Sequence, residues 1–396
     1  VLVMMNAIEG ALAPWEPDLV EELERLGYAR RTAVTLMKLA GRLSRWLEER
    51  GLSAYDLSIE VVEQFLDGLR AEGTWFHPTA KTLDWLLGYL REVGVVTPPV
   101  LLVPTSWEEK LIEQYRCYLI TERGLASETA KGCVRTANLF LADHHGRQIG
   151  ELTPADVSRF MTRRCRHLSA TSRLATGLRS FLAFLRLEGL VVAPLADAVL
   201  SAANWSGAAL PRGLTADQVT RLLATCDNQR PTSRRDYAIL VMLIRLGLRA
   251  AEVAGLRLDD IEWRAGQVVV RGKGGTEECL PLPADVGAAI AAYLHHDRPQ
   301  RVERELFLRA HAPLRGLSPD GVSEVVRTAG ERAGLGSFGS HRLRHTAATE
   351  MLRAGASLAE VAEVLRHRSV ATTAIYAKVD QLALSGLAMP WPGCER

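Results

Sequence analysis

The chain has 396 residues, 47% of them hydrophobic and 24% charged, with a formal net charge of +2. That length exceeds one ordinary domain and leads us to expect two or three, while the balanced composition excludes a disordered, fibrous or disulfide-framed protein. No run of about 18 apolar residues occurs, and the apolar opening VLVMMNAIEG carries Glu9 and no basic start, which makes it a poor signal peptide.

The small net charge hides opposed regions. Residues 1–100 hold 15 acidic against 10 basic side chains, giving −5, and residues 101–205 hold 10 against 13, giving +3. The remainder is +4, so basic surface belongs to the later two-thirds of the chain. The six cysteines form no CxxC pair and read as reduced thiols of a cytosolic protein.

In chain order, three blocks separate at the proline-bearing TPPVLLVPTS (Thr97–Ser106) and at the linker-like SAANWSGAALPRG (Ser201–Gly213). The first two resemble each other. GYARRTA at Gly27–Ala33 parallels GLASETA at Gly124–Ala130, and each is followed by an amphipathic run and a second short helix (from Leu57 and from Leu152). Each ends on an apolar helix, TLDWLLGYLREVGVV or GLRSFLAFLRLEGLV. This pattern predicts a duplicated four-helix unit of about 90 residues. The copies differ in charge: Arg159, Arg163, Arg164, Arg166, Arg173, Arg179 and Arg186 run without an acid between Asp156 and Glu188, an electrostatic footprint for a polyanion. Interspersed Ser169, Thr171, Ser172 and Thr176 add donors for phosphates, against the alternative of a solvated helical face. The acidic first copy is expected to contact protein.

In the third block, Thr215 and Gln218 predict a capping box. A helix over RRDYAILVMLIRLG leads into LRAAEVAGLRLDDI, then strands QVVVRG and EECLPLP joined by KGGT, then helices to the end. Here lies SHRLRHTAATEM (Ser340–Met351), with two histidines and two arginines inside five residues. His341 and His345, four apart, have the spacing of a zinc pair, but the position of a metalloprotease Glu is Arg342. The other reading is an anion site, with Arg344 and the imidazoles facing phosphate.

Further residues extend that reading. Arg249 follows LGL at a helix junction, with Glu252 three residues on to brace it. Lys273 sits on a Gly-rich turn that fails the P-loop pattern, and Tyr376 lies nine residues after His367. Two arginines clamp phosphodiester oxygens and stabilise the added charge of a pentacovalent transition state. A phenol with pKa near ~10 is about 0.1% ionised at neutral pH. Tyr376 therefore needs nearby cations and a base such as His341, and a mobile Lys273 is able to protonate the departing sugar oxygen. No carboxylate cluster for magnesium accompanies these groups, so neither metal nor other cofactor is expected.

The order LGLRAAEVAGL, GKGGTEE, HRLRH, LRHRS, TTAIYA resembles the tyrosine recombinase family, phage integrases and Xer-like enzymes, over roughly residues 107–380. The resemblance implies a mainly α fold with a small antiparallel sheet. Residues 107–205 would be a helical core-binding domain and 214–396 a catalytic domain closing with it as a C-shaped clamp, with residues 1–100 an extra helical domain. It implies Tyr376 as nucleophile of a 3′-phosphotyrosyl link and Arg249 and Arg344 on the scissile phosphate. His341 would be the acid/base, His367 a hydrogen-bond donor to the phosphate, and Lys273 the proton donor. It also implies double-stranded DNA with inverted repeats as partner, a tetrameric synapse of identical or related recombinases, and a cytoplasmic, nucleoid-associated location without membrane contact. Integration or excision, or resolution of a mobile element, is the expected outcome. The alternatives are relaxation of the type IB topoisomerase kind and an idle DNA-binding accessory subunit. One departure is Arg366, where the family commonly has glycine.

Overall fold

A computed structural model describes residues 8–71, 78–96, 106–164, 168–199, 213–227, 230–272 and 276–366. The first block holds α1 (Glu16–Arg25), α2 (Arg30–Glu49), α3 (Ile59–Ala71) and α4 (Asp84–Glu92). Along α2, Ala33, Leu36, Met37, Ala40, Leu43 and Leu47 recur at helical spacing and are buried, the stripe that an amphipathic helix needs. That stripe joins Leu23, Phe65, Leu66 and Leu90 in one apolar core.

The second block holds α5 (Trp107–Cys117), α6 (Ser127–Asp143), α7 (Pro154–Arg164) and α8 (Leu168–Leu187) around Tyr115, Phe140, Phe160, Phe181 and Phe184. Both blocks place a short 3-10 turn between their second and third helices, and they match in two local features. α2 and α6 each begin after an extended alanine, Ala29 (φ −60°, ψ 143°) and Ala126 (φ −59°, ψ 142°). α4 and α8 end in the same wrap, Val95 N to Leu90 O at 2.8 Å and Leu190 N to Leu185 O at 2.9 Å.

The third block is built on α10 (Ser233–Arg245), whose residues Ala238–Ile244 are all buried. Around it pack α9 (Ala216–Ala224), α11 (Ala250–Ala254), α12 (Ala284–His296), α13 (Pro319–Arg332) and α14 (Ser340–Arg353), with α15 (Leu358–Val364) against α14. The capping box forms as read: Thr215 Oγ1 accepts from Gln218 N at 3.3 Å, and Gln218 Oε1 from Thr215 N at 3.1 Å. A three-stranded antiparallel sheet, β1 (Ile261–Glu262), β2 (Gln267–Arg271) and β3 (Glu277–Pro281), turns Val268 and Val270 into the core. The chain is thus mainly helical with a small antiparallel sheet.

The first and third blocks pack as one compact unit, and the second forms its own. In the former, Leu314 N donates to Leu26 O at 2.9 Å, and Arg301 Nη1 to Arg25 O at 2.9 Å. Among the described residues no helix is long and apolar enough to cross a membrane, and Cys117, Cys133, Cys226 and Cys279 carry free thiols.

Candidate active site

The turn from α10 to α11 places the first arginine. Gly247 takes φ +59°, where a glycine has no Cβ to clash, and a Cβ there would fall 2.4 Å from Leu365 Cδ2. Arg249 then becomes the residue before α11. Its backbone N–H donates to Glu252 Oε2 at 2.8 Å and its Nη1 to Glu252 Oε1 at 2.6 Å, the brace expected from the spacing. The Arg249 side chain stays 44% exposed, so its cation is presented to solvent while its base is held.

α14 supplies the second. Leu343, Arg344, Thr346, Ala347 and Ala348 face inward, and Leu214 N donates to Thr346 Oγ1 at 2.8 Å, fastening the start of the block to this helix. Arg344 is 1% exposed. A guanidinium that deep requires acceptors, and it finds the carbonyls of Gly247 (Nη1, 2.6 Å) and Leu365 (Nη2).

His341 lies three residues before Arg344 on the same face and remains open on its outer side. Packing around the ring, then Arg344 and Arg249, lower its pKa. His345 meets it edge to face, ring centroids 4.6 Å apart. Burial, then His341 and Arg344, bring the His345 pKa down to about 4. Both imidazoles are therefore neutral at pH 7, and a neutral His341 is able to accept a proton. Among the described residues no group of three or more His, Cys, Asp or Glu is placed to hold a metal.

The third wall is the turn after α15. Ser357 caps that helix, its Oγ accepting from Glu360 N at 3.2 Å. Beyond Leu365 comes Arg366 at φ +55°, the left-handed region. Its carbonyl accepts from Arg249 Nη2 at 3.4 Å, and its Nη2 donates to Glu252 Oε2 at 2.8 Å. Burial would raise the Glu252 pKa, but the Arg249 backbone N–H, Arg366 and the Arg249 side chain outweigh it and lower the pKa. Sequence reasoning noted Arg366 as a departure but missed this role, and no local pattern would have signalled a partner 114 residues away.

Of the six expected catalytic residues, Arg249, His341 and Arg344 come together here. Lys273, His367 and Tyr376 lie outside the described residues.

The arginine run of the second block is partly engaged within the protein. Asp156 accepts from Arg147 at 2.9 Å and Arg159 at 3.1 Å. The Thr153 hydroxyl and backbone N–H, then Arg147, hold the buried Asp156 carboxyl well below the usual carboxylate range despite the cost of burial. Arg164 pairs with Asp143 at 2.6 Å over the Phe160 ring, and Arg179 donates to Val199 O at 2.9 Å. Arg163 and Arg173 are exposed, whereas Arg166 lies outside the described residues.

Comparison with known proteins follows the same outline. Residues 212–382 match the Phage integrase family, and residues 112–189 match the phage integrase N-terminal SAM-like domain. The chain is 40% identical to a putative integrase/recombinase, y4rA, of Sinorhizobium fredii over 97% of this chain and 96% of that one. It is 33% identical to the tyrosine recombinase XerD of Mycobacterium tuberculosis over 72% of this chain and 96% of that one. The fold resembles that of the XerH site-specific recombinase bound to palindromic difH substrate, with TM-score 0.56 and 18% identity over 72% of this chain and 96% of the other. It also resembles a lambda integrase dimer bound to a COC′ core site, with TM-score 0.53 and 15% identity over 66% and 95%.

Proposed function

The chain belongs to the tyrosine recombinase (phage integrase) family of site-specific DNA recombinases, and from that premise we propose which of its residues break and rejoin DNA. Tyr376 attacks the scissile phosphorus and forms a 3′-phosphotyrosyl bond as the 5′-oxygen leaves. Arg249 and Arg344 bind the nonbridging oxygens and offset the charge of the pentacovalent transition state. His341 takes the phenol proton, His367 donates to the phosphate, and Lys273 protonates the 5′-oxygen. The tyrosyl link retains the energy of the phosphodiester, so reversal by a second 5′-hydroxyl needs no ATP.

One observation carries this reading: Arg249 and Arg344 both donate to the Leu365–Arg366 turn, directly before His367 and ten residues before Tyr376, with His341 beside Arg344. Residues 107–205 are the core-binding domain, where exposed Arg163 and Arg173 contact phosphates, with Arg166, and with Arg159, Arg164 and Arg179 exchanging their internal partners. Residues 214–396 are the catalytic domain. Residues 1–100 are a duplicate of the core-binding unit, supported by the matched helix starts at Ala29 and Ala126. The substrate is duplex DNA with inverted repeats, held in a tetrameric synapse that serves integration, excision or resolution of a mobile element.

The test uses a nicked DNA duplex carrying the site, in EDTA, with wild-type protein and Tyr376→Phe. A covalent adduct on a denaturing gel with wild type alone is the expected result. Tight specific binding with no adduct overturns the enzymatic reading in favour of an accessory subunit. An adduct accompanied by plasmid relaxation and no strand exchange favours the topoisomerase alternative.

A further inference from the structure

We infer that Arg366 is a positioning residue for cleavage: it shares the Glu252 carboxylate with Arg249 and leaves the Arg249 cation free to act on the phosphate. This rests on the proposed assignment of Arg249 to the scissile phosphate.

Three observations carry it. First, Arg366 sits at φ +55°, where an L side chain is disfavoured and glycine is not, so a side chain kept there has to be compensated by what it does. Second, its guanidinium is directed inward: the side chain is 5% exposed, Nη2 lies 2.8 Å from Glu252 Oε2, and Nη1 donates to Val364 O at 3.0 Å. Nε is buried without a hydrogen-bond partner, 3.8 Å from Glu278 Oε2 on β3. Third, Glu252 is shared, with Oε1 bonded to Arg249 Nη1 at 2.6 Å and Oε2 to both the Arg249 backbone N–H and Arg366.

The charge count gives the consequence. Arg249 and Glu252 alone form a neutral pair, and a carboxylate answered by one guanidinium draws it away from an incoming anion. A second guanidinium on the same carboxylate weakens its hold on Arg249, and the carboxylate on the other side of Arg366, Glu278, offsets this little because it is 3.8 Å away, 45% exposed and screened by solvent. It also keeps Glu252 Oε2 from turning to the Arg249 guanidinium, which is left with Oε1 alone. On its other side Arg366 comes within 3.8 Å of Glu278 on β3, a long and partly exposed ion pair.

The test compares Arg366→Gly, Arg366→Lys, Arg249→Ala and the Arg366→Gly/Arg249→Ala double variant of the full chain. Single-turnover adduct formation is measured at saturating protein, alongside DNA affinity and melting temperature. Glycine suits the local backbone, so Arg366→Gly is expected to fold and bind DNA within about threefold of wild type but cleave about 10- to 100-fold more slowly. Arg366→Lys restores part of the rate. In the Arg249→Ala background the glycine change costs no more than about twofold, because the group it acts through is gone. Cleavage by Arg366→Gly at the wild-type rate overturns the inference, as does an undiminished loss in the double variant, which marks a general structural defect. If Arg366→Gly does not fold, Arg366→Lys, which keeps the charge and loses the fork, decides in the same cycle. Arg249→Ala cleaving at the wild-type rate removes the phosphate assignment itself, and this inference with it.

Discussion

Arg344 takes a permanent charge into the interior and satisfies it on two backbone carbonyls, whereas Arg249 keeps its charge near solvent on a carboxylate. The two therefore respond differently to truncation. Both Arg249→Ala and Arg344→Ala are expected to slow cleavage by roughly two to three orders of magnitude, as loss of an oxyanion donor does. Arg344→Ala is also expected to lower unfolding stability, by about 2–4 kcal/mol, because it strands the Gly247 and Leu365 carbonyls, and by more than Arg249→Ala, which leaves Glu252 paired with Arg366. Denaturant melts separate the two cases. The histidines give a pH dependence. The His341 pKa lies below its usual value of about 6.5, so the cleavage rate is expected to hold from neutral pH down and to fall only below that value, as the base is protonated. His345, at about 4 when folded, binds its proton more readily unfolded. Stability is then expected to decline as pH falls from about 6.5 toward 4 and to level off below, which a series of thermal melts checks. The identities of these residues were legible in the sequence, since SHRLRH places them on one helix face. The depth of Arg344 was not, because helical spacing says which residues share a face and not what covers it.

At the scale of elements, the short turns do more than connect. The Leu246–Leu248 turn carries Arg249 because Gly247 both adopts φ +59° and lets Leu365 approach. Gly247→Ala adds a strained backbone and a methyl group where Leu365 sits. It is expected to destabilise the protein by about 1–3 kcal/mol and to slow cleavage at the same time, measured by melting and adduct formation. The capping box at Thr215, the helix over Ser340–Arg353 and the hairpin pairing Val268 with Leu280 all follow the sequence reading, because caps and periodicity are local signals. The turn after α15 does not follow from such signals. Arginine at φ +55° runs against local preference, and its side chain is held by Glu252, 114 positions away, a partner that local signals do not reveal.

Across the whole molecule, the first block shares a compact unit with the third through Leu26, Arg25, Arg301 and Leu314, although its sequence pattern parallels the second. Deleting residues 1–100 is expected to weaken assembly of two sites into one complex more than binding to a single site. Native gels with one-site and two-site DNA distinguish these, and a loss confined to single-site affinity would sink the assignment. What the sequence alone determined was the family chemistry and the helical character of the blocks. These reside in short motifs and in a 3.6-residue period, both set by nearest neighbours along the chain. What only the tertiary structure decided was how Arg249, His341 and Arg344 meet, which carbonyls hold Arg344, and that Arg366 and Arg249 share one carboxylate. Those facts depend on contacts between residues 97 and 114 positions apart, brought together by burial of apolar side chains in the main core and in the smaller cluster around Leu365, which no local pattern encodes.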